Sequence, residues 1–180
     1  MPAYFGKEEI INNGKRYRIH NNYLTIGGGY FSSTKRVPSQ KPFGIDLQFR
    51  IQQHKFQVGG FISGNELFGT NNLSTHLGYG WRKENAKYNF AVYTGIEYSY
   101  GVYAIADTDS TTKPYYYSSP GVYVCTQAVR KLTYDIGIGI ELYAEVNTTQ
   151  LMGGIKFIVF FSDAYRGLKR NYNPNVRLIK

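Results

Sequence analysis

The chain lacks the residues that a disulfide framework, a zinc knuckle or a membrane-spanning helix would need. Cys125 is the only cysteine in 180 residues, so an intrachain disulfide and a CxxC metal site are both excluded, and we interpret Cys125 as a small buried residue. No run of about 18 apolar residues occurs, which excludes a spanning helix. The opening residues, MPAYFGKEEII, lack the basic and then apolar pattern of a signal peptide.

Charge is also scarce, and it is unevenly distributed. Charged residues make up 18 % of the chain, against about 25 % in typical soluble domains. The formal net charge of +9 comes largely from the two ends of the chain. Neither end contains a dense Lys/Arg run or a nucleic-acid motif, so no nucleic-acid partner is predicted. No His, Cys or carboxylate residues have metal-ligand spacing, and we predict neither a metal nor a cofactor.

Tyrosine, phenylalanine and glycine are abundant, and they occur in alternating segments. The segment YDIGIGIELYAEV, residues 134–146, places isoleucines on one face of a strand and glycines with acidic residues on the other. Similar segments predict eight strands, most with 10 or more residues; a strand tilted across a bilayer needs about 9–11 residues. The predicted strands are 22–32, 43–52, 55–64, 72–82, 87–103, 116–130, 133–145 and 149–161.

The connections between the predicted strands alternate in length, which indicates an up-and-down barrel. Tight links at 52–55, 83–87 and 130–133 alternate with longer ones at 33–42, 65–71 and 104–115, and only the last link, around Val146, Asn147 and Thr148, is short where a long one is expected. Outer-membrane barrels combine short periplasmic turns with longer external loops. We therefore predict an N-terminal periplasmic segment (1–21), an antiparallel eight-stranded transmembrane barrel (22–161) and a basic C-terminal periplasmic tail (162–180).

Glycine indicates which face of the strands lies inside the barrel. Most strand glycines lie on the polar face. Glycine would weaken a strand whose polar face was exposed to solvent, but it suits a polar face that lines the narrow lumen of an eight-stranded barrel. The isoleucine face would then contact lipid. Acidic and basic residues on the polar face are nearly balanced, and we predict a buried ion-pair network in preference to a pore. Its members are Asp46, Arg50, Arg82, Glu97, Asp135, Glu141 and Lys156.

Aromatic residues on the apolar face fall into two groups that match the two interfaces of a bilayer. Amphipathic rings prefer the depth of the lipid headgroups, and membrane barrels have aromatic girdles there. The predicted lipid-interface aromatics are Tyr30, Phe49, Phe56, Trp81, Tyr88, Tyr98, Tyr134 and Phe161.

Residues 22–161 resemble the small eight-stranded outer-membrane barrels of the OmpA/OmpX type. The Tyr-rich, basic character is similar to that of short barrels from Bacteroidota. The segment GGIKFIVFF resembles the closing strand of such barrels, which ends on an aromatic residue, here Phe161. The chain departs from the pattern because a tail, Ser162–Lys180, follows that aromatic residue. The tail is too short for a peptidoglycan-binding domain.

The function expected from the sequence is non-enzymatic: a structural or accessory subunit of a larger assembly, secretion or transport complex in a bacterial outer membrane, in contact with lipid and a protein partner. Apolar and aromatic residues among the bases of the tail suit a docking segment for a periplasmic partner or for lipid headgroups, and a frayed end is the equally weighted alternative. Its candidate docking residues are Tyr165, Arg166, Lys169, Arg170, Tyr172 and Arg177. Two alternatives remain: a soluble lipocalin-like barrel with an apolar cavity, and a lipid A-modifying enzyme that uses Ser74 and His76.

Overall fold

A computed structural model describes residues 9–12, 15–18, 22–35, 41–65, 70–106, 112–162, 165–168 and 178–179. Eight of its strands close into one antiparallel barrel, in which each strand pairs with its neighbours along the chain and the last pairs with the first. These strands are β3 (Tyr23–Ser33), β4 (Pro42–Ile51), β5 (His54–Asn65), β6 (Thr70–Glu84), β7 (Tyr88–Ala106), β8 (Thr112–Lys131), β9 (Ile136–Asn147) and β10 (Leu151–Ser162). The predicted up-and-down barrel fold is confirmed.

The barrel has two different ends, which we call the turn end and the loop end. The turn end carries the links 52–53, 85–87 and 132–135, together with the start of β3 and the end of β10. The loop end carries the remaining links, of which 148–150 is short. Strands β6 and β8 run farther toward the turn end than predicted, to Glu84 and Lys131, because their ladders with β7 and β9 continue through these residues.

The apolar residues of the strands lie outside the barrel. Ile45, Ile138 and Phe157 are 49 %, 52 % and 68 % exposed, whereas Glu141 on the opposite face is 0 % exposed. Because side chains alternate along a strand, every strand has one outward and one inward set. The soluble, lipocalin-like alternative is therefore wrong, since it needed the isoleucine face to line a cavity. None of the described residues forms a helix that is long and apolar enough to cross a membrane.

Segments from the two ends of the chain form a second, smaller sheet that the sequence did not predict. Its strands are β1 (Glu9–Asn12), β2 (Lys15–Arg18), β11 (Tyr165–Leu168) and β12 (Leu178–Ile179), in the order β11-β2-β1-β12. β1 pairs antiparallel with β2 and parallel with β12. Only residues 163 and 164 separate β11 from the barrel, so the chain can place β11 at most about 11 Å from the end of β10.

The lumen is filled by side chains, as expected for eight strands. Aromatic and apolar groups form two clusters: one of Phe31, Phe61, Ala91, Tyr93, Tyr123, Cys125, Tyr143 and Met152, and one of Tyr23, Val129, Ile158 and Phe160. Two lumen glycines make room for charged groups. A Cβ atom at Gly59 would collide with the Asp46 carboxylate, and one at Gly121 would lie 2.5 Å from Glu97 Oε1.

Candidate functional site

The charged residues of the lumen form three groups, and the first lies halfway along the barrel. This central cluster consists of Asp46, His76, Glu141 and Lys156, all 4 % exposed or less. Lys156 Nζ lies 2.5 Å from Glu141 Oε1 and 3.3 Å from Asp46 Oδ2, so one cation is shared by two carboxylates. Such a buried cation compensates the charge of both acids, which would be costly to bury alone.

Aromatic and amide groups hold the central cluster in place. The His76 ring stacks on Tyr123 with centroids 3.9 Å apart, and its Nε2 lies 2.8 Å from Asp46 Oδ1. Gln127 Nε2 donates to Glu141 Oε2 at 2.7 Å, and its own carbonyl accepts from the hydroxyl of Tyr23 at 2.7 Å. These contacts connect strands β3, β4, β6, β8 and β9 across the lumen.

A second group, the turn-end cluster, contains Arg82, Glu84 and Lys131. Arg82 Nη2 lies 2.6 Å from Glu84 Oε2, and Lys131 pairs with the other oxygen of the same carboxylate. The Arg82 guanidinium also donates to Asn89 Oδ1 and stacks 4.2 Å above the ring of Tyr23. Through Tyr23 and its hydrogen bond to Gln127, the turn-end cluster is connected to the central cluster.

The third group, the loop-end carboxyl pair, is Glu97 and Glu145, which are 4 % and 0 % exposed. Ser74 Oγ lies within hydrogen-bond distance of both, 2.8 Å from Glu145 Oε1 and 3.1 Å from Glu97 Oε2. Glu97 also accepts from Ser99 at 2.6 Å and from Asn147 at 3.0 Å. Glu145 Oε2 has no hydrogen-bond partner among the described residues. This carboxyl pair therefore depends on neutral donors.

The structure gathers most of the predicted network in the lumen and excludes two members. Asp46, Arg82, Glu97, Glu141 and Lys156 are all buried there. Arg50 is a correction: it is exposed at the turn-end rim, where its Nε donates to the backbone carbonyl of Gln52. Asp135 lies in the turn before β9, so it is not a lumen residue of a strand. Arg50 occupies an inward-facing position in the alternation of β4, but it lies beyond the point where the facing strands enclose the lumen.

Sequence reasoning missed three charged lumen residues: Glu84, Lys131 and Glu145. Glu84 and Lys131 lie outside the predicted strands, which end at 82 and 130. Extending the alternation by one inward position on each strand would have found both. Glu145 is the last residue of its predicted strand. Only its even spacing from Glu141, four residues along the strand, indicates that it faces inward.

The geometry of Ser74 and His76 does not connect them as nucleophile and base. Ser74 Oγ donates to the loop-end carboxyl pair, whereas His76 contacts Asp46 and Tyr123. Both side chains are at least 96 % buried inside the barrel. The residues that the structure describes contain no group of three or more His, Cys, Asp or Glu arranged to hold a metal ion. Cys125 is buried, and its Sγ lies 3.3 Å from Gln57 Oε1.

The predicted interface aromatics lie mostly on the outer wall. Tyr30, Trp81, Tyr88, Tyr98 and Phe161 are 39–57 % exposed. Phe49 and Phe56 are half-buried because they stack on each other with centroids 5.6 Å apart. Tyr134 lies half-buried in the turn before β9.

The predicted docking residues are only partly described by the structure. Tyr165 and Arg166 lie on β11. Lys169, Arg170, Tyr172 and Arg177 fall outside the described residues. The structure therefore places the start of the tail in the small sheet.

The packing of the lumen does not favour conduction. A cavity near the turn end, bordered by Tyr23, Gln48 and Tyr93, holds about 10 Å³, which is barely the volume that one water molecule requires. The charged groups pair with one another across the lumen, so they do not line an open path for ions. What the arrangement can do chemically is hold eight strands together as one rigid cylinder.

Comparison with known proteins supports the fold. No family model matches the chain, and no curated protein matches it. Among solved structures, Neisserial surface protein A (NspA) is 13 % identical, with a TM-score of 0.56 over 78 % of this chain and 96 % of NspA. The N-terminal β-barrel domain of Pseudomonas aeruginosa OprF is 9 % identical, with a TM-score of 0.55 over 79 % of this chain and 98 % of that domain.

A third solved structure agrees with the first two. Ail, the attachment invasion locus protein of Yersinia pestis, is 9 % identical, with a TM-score of 0.52 over 82 % of this chain and 99 % of Ail. The chain thus has the fold of small outer-membrane β-barrels. At identities this low, the likeness concerns the fold alone.

Proposed function

We propose that the protein is an outer-membrane barrel that acts as a structural, non-enzymatic subunit of a larger complex. The barrel would hold the small sheet of β1, β2, β11 and β12 at the periplasmic surface, where a protein partner docks. The apolar outer wall supports membrane insertion, since hydrocarbon is the solvent that such a wall requires. The filled lumen supports an anchoring role over transport.

The single observation that carries the docking role is the convergence of both ends of the chain in one sheet. Residues 1–21 and 163–180 contain nine of the 21 Lys and Arg residues but only three of the 12 Asp and Glu residues. A sheet built from such segments favours a partner with an acidic surface, because complementary charge speeds encounter and selects partners. Its outer strands, β11 and β12, each have one edge that no described strand covers, and an added strand could pair there.

Deletion of residues 163–180 tests this proposal. The deletion removes β11 and β12 but no barrel strand, so we expect the barrel to keep its heat-modifiable migration on gels. A partner that co-purifies with the full chain from native outer membranes in mild detergent should be lost. The matched control replaces Lys35 and Lys41, which lie at the loop end, with glutamine. Equal recovery of the partner with the deleted chain, or its loss in the control, contradicts the proposal.

A further inference from the structure

The outer wall contains a groove where a small side chain lies between large ones. Ala128 on β8 pairs in register with Phe90 on β7 and Ile140 on β9, and Ile140 pairs with Phe157 on β10. These three neighbours are 39–68 % exposed, so they stand above Ala128 as walls. The groove that results has a volume of about 560 Å³.

One charged residue borders this otherwise apolar groove. Arg130 lies one outward position closer to the turn end than Ala128 and pairs in register with Tyr88. Arg130 is exposed, and in the described part of the chain no carboxylate pairs with it. Lys83, also exposed, pairs in register with Phe90 on the far side of β7. Arg130 thus borders the groove itself, and Lys83 adds a second cation one strand beyond its lining, near the turn end of the outer wall.

We propose that the groove binds one anionic phospholipid of the surrounding membrane. Its phosphate would pair with Arg130, whose planar guanidinium suits bidentate phosphate contacts, and Lys83 would add a second positive charge. An acyl chain would lie over Ala128 between Phe90 and Ile140. The proposal rests on the membrane position given above.

The size of the groove fits this occupant. The groove crosses four neighbouring strands, and three strand spacings amount to about 14 Å. Because the strands of such barrels are tilted by about 35–45°, about 9 Å of that length runs along the membrane normal, which lies within the depth of about 15 Å of one leaflet. Tyr88 lies beside Arg130 at the edge, where amphipathic rings meet headgroups. The charge, the depth and the apolar lining therefore match one lipid of a single leaflet.

Native mass spectrometry of the full chain in detergent micelles, with palmitoyl-oleoyl phosphatidylglycerol added, tests the proposal. We expect the protein to bind one molecule of phosphatidylglycerol, and to bind phosphatidylcholine less readily at the same concentration. Arg130→Gln should weaken phosphatidylglycerol binding about fivefold, which corresponds to about 1 kcal/mol for one basic residue at a membrane surface. Arg50→Gln is the matched control, because Arg50 is an exposed arginine at the same end of the barrel on β4.

A second pair of variants tests the groove by shape. Ala128→Leu fills the groove and should reduce the adduct as strongly as Arg130→Gln, whereas Ala144→Leu makes the same change elsewhere on the outer wall and should leave it intact. Equal effects within either pair overturn the proposal. The proposal is also overturned if the protein forms a dimer and Ala128→Leu abolishes it, because a second copy of the chain would then occupy the groove. Heat-modifiable migration and recovery in vesicles are measured on the same samples: failure there contradicts the membrane barrel itself, while a normal barrel without an adduct contradicts only the lipid site.

Discussion

At the turn end of the lumen two cations share one carboxylate, whereas at the loop end two carboxylates share one hydroxyl. Arg82 and Lys131 both contact Glu84, and opposite charges compensate one another. Glu97 and Glu145 both face Ser74 Oγ, which has one proton to donate. Both groups lie in the same narrow cylinder and are almost fully buried. The lumen is therefore stabilised by ion pairs at one end and by hydrogen bonds from uncharged donors at the other.

The largest effect is expected between the two ends, in the central cluster. Lys156→Met keeps an unbranched side chain that is one atom shorter, but leaves Asp46 and Glu141 without their shared cation. Removing one partner of a buried ion pair costs about 3–5 kcal/mol, so the free energy of unfolding should fall by about that amount. Urea unfolding of the barrel in vesicles, followed by the fluorescence of the single tryptophan, Trp81, measures the loss.

Lys87→Met is the matched control for this variant. Lys87 is exposed in the turn between β6 and β7, and a change there should alter stability by less than about 0.5 kcal/mol. If both variants unfold at the same urea concentration, Lys156 does not compensate the charge of the central cluster.

A smaller loss is expected at the turn end. Glu84→Gln leaves Arg82 and Lys131 as two neighbouring cations, and we expect a loss of about 2–3 kcal/mol in the same unfolding experiment. The loss is smaller than at Lys156 because Arg82 keeps its contacts with Asn89 and the ring of Tyr23. Adding Lys131→Gln should restore part of the stability, since only one cation then remains. A double variant that is less stable than Glu84→Gln would show that cation repulsion is not the cause.

The fold could be predicted from the sequence because every strand carries its own signals: the alternation of apolar and polar residues, and the placement of glycine on one face. Ile138, Glu141 and Gly59 each identify a face without any knowledge of distant residues. The exact members of the charged clusters could not be predicted, because they depend on where a wall ends. Arg50 and Glu84 both have inward parity near the turn end, yet only Glu84 is enclosed by the neighbouring strands.

The small sheet was beyond sequence reasoning for a different reason. Its strands have two to four residues, too few for a periodic pattern to be read. Glu9 pairs with Leu178, a partner almost the whole chain away. Nothing in either local segment indicates the other, so the sequence predicted only a basic segment at each end.

The smallest effect, and the only one of opposite sign, is expected at the loop end. Glu145→Gln keeps the shape of the side chain, cannot become charged next to Glu97, and adds a permanent donor that can face Glu97. Because buried like charges repel each other, the free energy of unfolding should rise by about 0.5–1 kcal/mol, an amount typical of one added hydrogen bond. Glu141→Gln, the same change two inward positions away on β9, should instead destabilise the barrel because Lys156 loses a partner. Unfolding midpoints that move in the same direction for both variants would mean that the two ends of the lumen do not differ in how they hold charge.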